Sequence, residues 1–144
     1  MSSIINSEQN TKIISCFPED KRNLQVLNIY KGSRDGWSKE EFGEKVFNQG
    51  PNIVLIKTKL GAICGGFTSK SWDDGTWVKD TEAFIFNLEK KFIPNNYDYA
   101  MAQNKWGIYF GSGALYVIGD YLNADNKGCS SFGWRTKYNI EGDS

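Results

Sequence analysis

The chain has 144 residues, of which 40% are hydrophobic and 24% charged. This length supplies one hydrophobic core and is too short for two full domains. No histidine is present, which excludes histidine-based catalytic triads, histidine-ligated zinc and histidine pH switches within this chain. Acidic and basic residues balance at 17 each, and 14 of the basic residues are lysine. This balance argues against a nucleic-acid-binding protein, which needs a basic patch and usually many arginines.

The cysteines and the amino terminus both favour a cytoplasmic protein. Cys16, Cys64 and Cys129 are far apart and lack the paired spacing of a metal knuckle or redox motif. The first residues lack the basic start and apolar run of a signal peptide, and no apolar stretch approaches the roughly 20 residues of a membrane span. We therefore expect a cytoplasmic location, reduced thiols and no membrane insertion.

A first helix is predicted near the amino terminus. Ser7 is a candidate N-cap for a helix over residues 8–17, and Pro18 would end it. Ile13, Ile14 and Phe17 would lie on one face of this helix. We expect residues 1–22 to form a helical extension.

A second helix is predicted to begin at Ser38. Glu41 follows Ser38 by three residues, which is the spacing of a capping box, and Trp37 can pack on Phe42 as a hydrophobic staple. Gly50 and the proline after it would end this helix.

The remaining sequence predicts strands. Residues 53–56, IVLI, form an unbroken apolar run, which indicates a strand covered on both faces and is our candidate for the central strand. A turn over residues 59–61 would return the chain through residues 62–68 as a hairpin. Further predicted strands cover residues 23–30, 83–88, 100–103, 107–110, 115–118 and 132–140. We expect an α+β fold, mainly β: one domain over residues 1–144, whose core from residue 23 is an antiparallel β-sandwich with helices packed outside.

Four sequence blocks occur in the order found in TLDc domains. They are YKGSRDGWS, GPNIVLIK, GGFTS and AFIFNL, at residues 30–38, 50–57, 65–69 and 83–88. The chain resembles the TLDc family closely through these blocks. Beyond them, FGSG at residues 110–113 stands where the family usually has phenylalanine and three glycines. The last family strand is not recognisable, so we expect a divergent or C-terminally shortened member.

The resemblance implies a β-sandwich with flanking helices that functions by binding. Family members are linked to resistance against oxidative damage, and several bind the vacuolar-type proton ATPase. The expected partner is therefore a subunit of that ATPase or another large assembly. No catalytic site is implied, so we expect a protein that is not an enzyme and has no cofactor.

Two loops contain residues typical of ligand sites but lack the full pattern of such a site. Residues 111–116 lack the third glycine of a dinucleotide fingerprint and the lysine of a phosphate-binding loop, which favours a turn between strands. Asp120, Asn123 and Asp125 supply oxygen atoms, but Lys127 stands where a calcium loop needs another oxygen ligand. We therefore predict no metal site.

Aromatic residues near polar or glycine-rich segments are the candidates for partner binding, because tryptophan and tyrosine often anchor interfaces. Trp72 and Trp77 flank a predicted turn over residues 73–75 and are the first choice. Trp106 and Tyr109 complete the predicted set, and Tyr97 and Tyr99 lie in similar segments.

Two alternative functions remain open at this point. An open sheet edge could accept a strand from a partner, which would make the chain a structural subunit of a cytoskeletal or organelle assembly. A redox protein could instead act through its cysteines. For Cys64, the neighbouring Ile63 and Gly65 in a predicted strand favour a buried thiol rather than a reactive one.

Overall fold

The computed structural model describes residues 5–23, 25–36, 39–58, 60–72, 77–94, 96–104, 107–110, 115–118 and 138–140. Its helices are α1 (Ser7–Ser15), α2 (Gly32–Asp35) and α3 (Lys39–Val46), with short 3-10 turns at Glu19–Lys21 and Tyr97–Tyr99. Its strands are β1 (Asn52–Lys57), β2 (Ile63–Thr68), β3 (Phe84–Asn87), β4 (Lys91–Pro94), β5 (Met101–Asn104), β6 (Gly107–Phe110), β7 (Leu115–Ile118) and β8 (Tyr138–Ile140).

These strands form two antiparallel sheets. The larger sheet has the order β1-β2-β3-β4-β8, and the smaller sheet has the order β5-β6-β7. The predicted fold class, α+β and mainly β, is confirmed. The predicted hairpin of β1 and β2 is also confirmed, with Asn52 opposite Thr68 and Lys57 opposite Ile63.

Two hydrophobic clusters lie on the two faces of the larger sheet. The inter-sheet core joins both sheets and contains Val46, Trp72, Ile85, Met101, Ile108, Phe110 and Leu115. The helix-side core joins the larger sheet to α1 and contains Ile13, Ile63, Phe67, Phe84 and Phe86. The larger sheet is therefore the middle layer, between α1 and the smaller sheet.

Side chains along β1 alternate between these two cores. Ile53 and Leu55 pack against the helix-side core, whereas Val54 and Ile56 pack against the inter-sheet core. The prediction that this apolar run is covered on both faces is confirmed. The prediction that β1 is the central strand is wrong, because β1 ends the strand order among the described residues. Helix α1 covers one face of β1 and the smaller sheet covers the other. Strand β1 is therefore covered on both faces although it lies at the end of the strand order.

Helix α1 begins one residue earlier than predicted, because Asn6 and not Ser7 is its N-cap. The Asn6 side chain accepts a 2.8 Å hydrogen bond from the Gln9 backbone N–H, and the Gln9 side chain accepts one of 3.0 Å from the Asn6 N–H. This reciprocal pair is a capping box. At the other end, the Phe17 ring lies 4.8 Å from Phe67 and 5.2 Å from Phe84 between ring centroids, which joins the helix to the sheet.

Two strand predictions need correction. Residues 25–30 form no strand, and Val26 and Leu27 are both exposed, so this segment does not show the inward and outward alternation of a half-buried strand. Strand β4 was not predicted. It follows a tight turn in which the Asn87 side chain accepts hydrogen bonds of 2.8 Å from the N–H groups of Glu89 and Lys90.

Other predicted features lie partly or wholly outside the described residues. Helix α3 begins directly after Ser38, but Trp37 and Ser38 themselves are not described, so the predicted second capping box stays a prediction. Of the strand predicted over residues 132–140, Tyr138–Ile140 is described, and it pairs with β4.

The capping box gives a direct test of where α1 begins. Asn6→Ala removes the side-chain oxygen that accepts from the Gln9 N–H and is expected to lower the free energy of unfolding by about 1 kcal/mol. Ser7→Ala, at the position favoured by sequence alone, is the matched control and is expected to change it by less than about 0.5 kcal/mol. Urea unfolding followed by circular dichroism measures both; an equal loss in the two variants would contradict the assignment.

Strand β2 has no room for a side chain at Gly65. A Cβ atom there would collide with the backbone carbonyl of Val54 in β1 and lie 2.9 Å from the Phe86 ring. Gly65→Ala is therefore expected to cost about 3 kcal/mol, the upper end of overpacking effects, because the backbone of β1 must move. Lys57→Ala, at the exposed end of β1, is the control. Thermal unfolding measures the effect. An unfolding midpoint of Gly65→Ala equal to that of the wild type would show this prediction to be wrong.

Candidate functional site

A buried carboxylate organises the loop region that follows β2. Asp80 is 1% exposed and accepts hydrogen bonds of 2.6 Å from the hydroxyl groups of Thr68 and Ser69. The backbone N–H groups of Ser69 and Glu82 donate to it at 2.8 and 3.0 Å. Thr68 and Ser69 are the last two residues of the GGFTS block. The carboxylate thus binds the end of β2 to the segment that leads into β3.

The hydrogen bonds decide the charge of Asp80. Burial raises the pKa of its carboxyl group, but the hydroxyl groups of Ser69 and Thr68 and the two backbone N–H groups outweigh burial and lower the pKa below its usual value. Asp80 is therefore ionised at neutral pH. A buried charge is stable only when its oxygen atoms are well satisfied, and four donors meet that need here.

The segment held by Asp80 pairs with the chain before β5. The Asp80 N–H donates to the Tyr97 carbonyl at 3.0 Å. Val78 and Met101 exchange backbone hydrogen bonds of 2.8 and 3.4 Å. These bonds fix residues 77–80 beside residues 97–101, although the two segments are distant in sequence.

This pairing brings two exposed aromatic side chains together. The rings of Trp77 and Tyr99 have centroids 6.2 Å apart and planes at 79°, an edge-to-face arrangement. Trp77 is 37% exposed and Tyr99 is 45% exposed. We call these two residues the aromatic patch. Lys79 and Asp98, their near neighbours in sequence, form an exposed ion pair of 3.6 Å.

Trp72 does not lie on the surface, which contradicts its selection as a candidate for partner binding. It is 0% exposed, its indole N–H donates to the Asn52 side chain at 2.6 Å, and its ring packs edge to face on Phe110 at 5.3 Å. Its carbonyl accepts a hydrogen bond from the Asn48 N–H at 2.8 Å. In the folded protein Trp72 is a core residue that cannot contact a partner.

The other predicted residues are placed as follows. Tyr109 is half-buried on β6, and because Ile108 and Phe110 lie in the inter-sheet core, alternation puts Tyr109 on the outer face of the smaller sheet. Trp106 lies outside the described residues. Tyr99, which lies in the aromatic patch, is outside the set of residues predicted to bind a partner. The signal that could have found it is Asn96, whose side chain accepts a 2.9 Å hydrogen bond from the Asp98 N–H and begins the turn that presents Tyr99.

The Cys64 thiol is a poor candidate for reactivity. Burial raises the pKa of the Cys64 thiol, whereas a reactive thiol needs a lowered pKa. Cys16 packs beside the helix-side core.

Neither a metal site nor a membrane span is found in the part of the chain that the structure describes. Those residues contain no cluster of three or more cysteine or acidic side chains that could hold a metal ion. Their helices are all too short or too polar to cross a membrane. Residues 111–114, which begin the segment considered as a phosphate-binding loop, and residues 119–137, which contain the acidic loop considered as a calcium site, are not described.

Comparison with protein families agrees with the fold. The model of the TLDc domain matches residues 1–140, so the chain belongs to the TLDc family. The match confirms the resemblance drawn from the four blocks and extends it past residue 88, where the motifs are weaker. Domains of this family are protein-interaction modules.

The Asp80 network is testable through its pH dependence. Asp80→Asn removes the charge and turns one acceptor into a donor facing donors, which is expected to cost about 2 kcal/mol at pH 7. The folded-state pKa is lowered, so the stabilisation by the ionised carboxylate is complete above the unfolded pKa of about 3.9 and is lost as the pH falls further. The difference between wild type and variant should therefore be constant from pH 5 to pH 8 and shrink below about pH 4.

Urea unfolding at pH 7 and pH 3 measures this difference. Asp20→Asn is the control, because Asp20 is exposed. A difference that does not depend on pH would show that the charge of Asp80 is not what holds the loop region.

Proposed function

We propose that this TLDc domain is a non-enzymatic, cytoplasmic interaction module and that it binds its partner through the aromatic patch. The observation that carries the proposal is the exposed pair of Trp77 and Tyr99, held by the pairing of residues 77–80 with residues 97–101. Tryptophan and tyrosine are the side chains that most often dominate binding energy at interfaces. Because the backbone of both segments is already fixed, little ordering cost is added on binding.

The leading partner is a subunit of the vacuolar-type proton ATPase, with a role in resistance to oxidative stress. Family membership supports this partner. The absence of histidine supports a function by binding, since it removes the side chain most used for acid–base catalysis near neutral pH.

One observation favours the structural alternative. Strand β1 ends the order of the larger sheet among the described residues, and a strand at that position can accept a partner strand. The redox alternative has weaker support, because burial raises the pKa of the Cys64 thiol. We retain the structural alternative, a subunit of a large assembly, as the second candidate function.

Affinity purification from the native cells, with mass spectrometry of the retained proteins, tests the proposal. Tagged wild type is expected to retain subunits of the proton ATPase at moderate salt. Trp77→Ala is expected to reduce their recovery at least about tenfold, because a hot-spot residue contributes about 2 kcal/mol or more.

The matched control is Leu60→Ala, which removes a 98% exposed side chain at the tip of the β1–β2 hairpin. Thermal unfolding of both variants verifies that they remain folded. Equal recovery of partners by wild type, Trp77→Ala and Tyr99→Ala would overturn the role of the aromatic patch. Recovery of cytoskeletal or organelle-structural proteins in place of the ATPase would favour the second candidate.

A further inference from the structure

Residues 25–30 form a segment that runs without a helix, turn or bend and whose backbone is unpaired. Its N–H and carbonyl groups make no hydrogen bond with any described residue. Residues 25–28 are all exposed, among them Val26 at 50% and Leu27 at 70%. The segment reads QVLNIY, which is rich in strand-forming residues and contains no charge, proline or glycine. It therefore has the composition of a strand but no neighbouring strand.

The structure holds this segment at both ends. On one side Ile29 and Tyr30 pack against the inter-sheet core. On the other side the Arg22 guanidinium donates to the backbone carbonyls of Phe17 and Ser15 at 2.9 and 3.3 Å. Because the exposed residues lie between two held ends, they lose little conformational freedom when another strand pairs with them.

Strand β1 has an edge that can receive such a segment. The Thr58 N–H donates to the Ala62 carbonyl at 2.9 Å, and this bond fixes the alternation of hydrogen bonds in the β1–β2 hairpin. By that alternation the backbone groups of Ile53, Leu55 and Lys57 point away from β2. Among the described strands β1 pairs only with β2. A row of backbone donors and acceptors is therefore open along β1.

The exposed apolar side chains of the segment match the two covered faces of β1. Consecutive residues of a strand point to opposite faces, so Val26 and Leu27 can both be buried only in a sheet that is covered on both faces. The larger sheet is covered in this way at β1, by α1 and by the smaller sheet. Lys57 is the only charged residue in the segment and in β1, so charge repulsion does not oppose their pairing.

We propose that residues 25–30 of one copy of the chain add to β1 of a second copy. The chain supplies both halves of the pair, a segment without a neighbour and a strand of six residues with an open edge. The exchange is reciprocal, so a twofold axis relates the two contacts and the assembly closes as a dimer. This inference goes beyond the proposed binding at the aromatic patch, and it names the strand that the open edge of β1 accepts.

Sedimentation equilibrium of the purified full chain tests the dimer. Over about 5 to 500 µM, a range typical of moderate affinities, the apparent mass is expected to rise from 16.3 kDa towards twice this value. Leu27→Lys places a charge in the buried contact and is expected to weaken dimerisation at least about tenfold. Thr81→Lys adds the same charge at an exposed residue before β3, which β2 separates from β1, and is the matched control.

A second variant tests the acceptor strand. Lys57→Pro removes an N–H group that points away from β2, so the hairpin keeps its own hydrogen bonds, and thermal unfolding verifies that the variant is folded. Dimerisation of Lys57→Pro is expected to weaken at least about tenfold. Leu27→Lys retains an intact β1 and Lys57→Pro retains an intact segment. A mixture of the two should therefore associate more strongly than either variant alone.

Hydrogen exchange of the ¹⁵N-labelled wild type locates the contact without any substitution. At high protein concentration, alternate amides of residues 25–30 and the amides of Ile53 and Leu55 should exchange at least about tenfold more slowly than at low concentration. Protection of residues 25–30 without protection of Ile53 and Leu55 would show that the two segments pair with each other, and would overturn β1 as the acceptor.

A mass that stays at 16.3 kDa throughout, or a dimer that Leu27→Lys does not weaken, would overturn the proposal. Its failure is distinct from failure of the proposed function, because Trp77→Ala is expected to dimerise like the wild type. A monomeric chain that still loses its partners through Trp77→Ala leaves the role of the aromatic patch intact. A dimer formed through residues 25–30 stands even if Trp77→Ala retains every partner.

Discussion

The buried carboxylate of Asp80 is the interaction on which the loop side of this domain depends. Its oxygen atoms hold the end of β2, through Thr68 and Ser69, and the segment that enters β3. An ionised group in this position would be costly without its donors, and the donors would be unsatisfied without the charge. Because each part needs the other, the network specifies one arrangement of residues 68–72 and 77–82, and that arrangement decides which of their side chains reach the surface.

A second constraint is the close packing around β2 at Gly65 and Gly66, where there is no room for a side chain. A Cβ atom at Gly65 would collide with the Val54 carbonyl, and one at Gly66 would lie 2.7 Å from the Phe110 ring. The absence of side chains at these two positions lets the Phe86 ring approach from the helix side and the Phe110 ring approach from the smaller sheet. The GGFTS block therefore combines two functions: its glycines permit close packing of the layers, and its hydroxyl groups bind Asp80.

The part of the fold that could be predicted is the part that depends on residues close together in the sequence. The IVLI run and the turn before residue 62 predicted the β1–β2 hairpin correctly, because apolar runs and turns act over a few residues. Strand order was not predictable in this way. An apolar run indicates burial on both faces, but it does not tell whether each face is covered by a helix or by another sheet, or where the strand lies in its own sheet. Here α1 covers one face of β1, which lies at the end of the strand order. The choice between Asn6 and Ser7 as N-cap depended on Gln9, which completes a capping box only with Asn6. The strand predicted over residues 23–30 has a suitable composition, but residues 25–30 pair with no strand among the described residues.

The candidate site shows the same limit more sharply. Trp72 and Trp77 flank one short segment and are equivalent as local sequence, yet one is fully buried and the other is half-exposed. The difference between them comes from contacts with residues that are distant in the chain. Trp72 donates a hydrogen bond to Asn52 and packs on Phe110. The pairing of Val78 with Met101 places Trp77 beside Tyr99. As a consequence, different residues of this region determine the backbone path and the surface. Asp80, Thr68 and Ser69 determine the path of the backbone, and the rings of Trp77 and Tyr99 add little to the core. The surface chemistry of this loop pair can therefore change its partner without changing the fold that presents it.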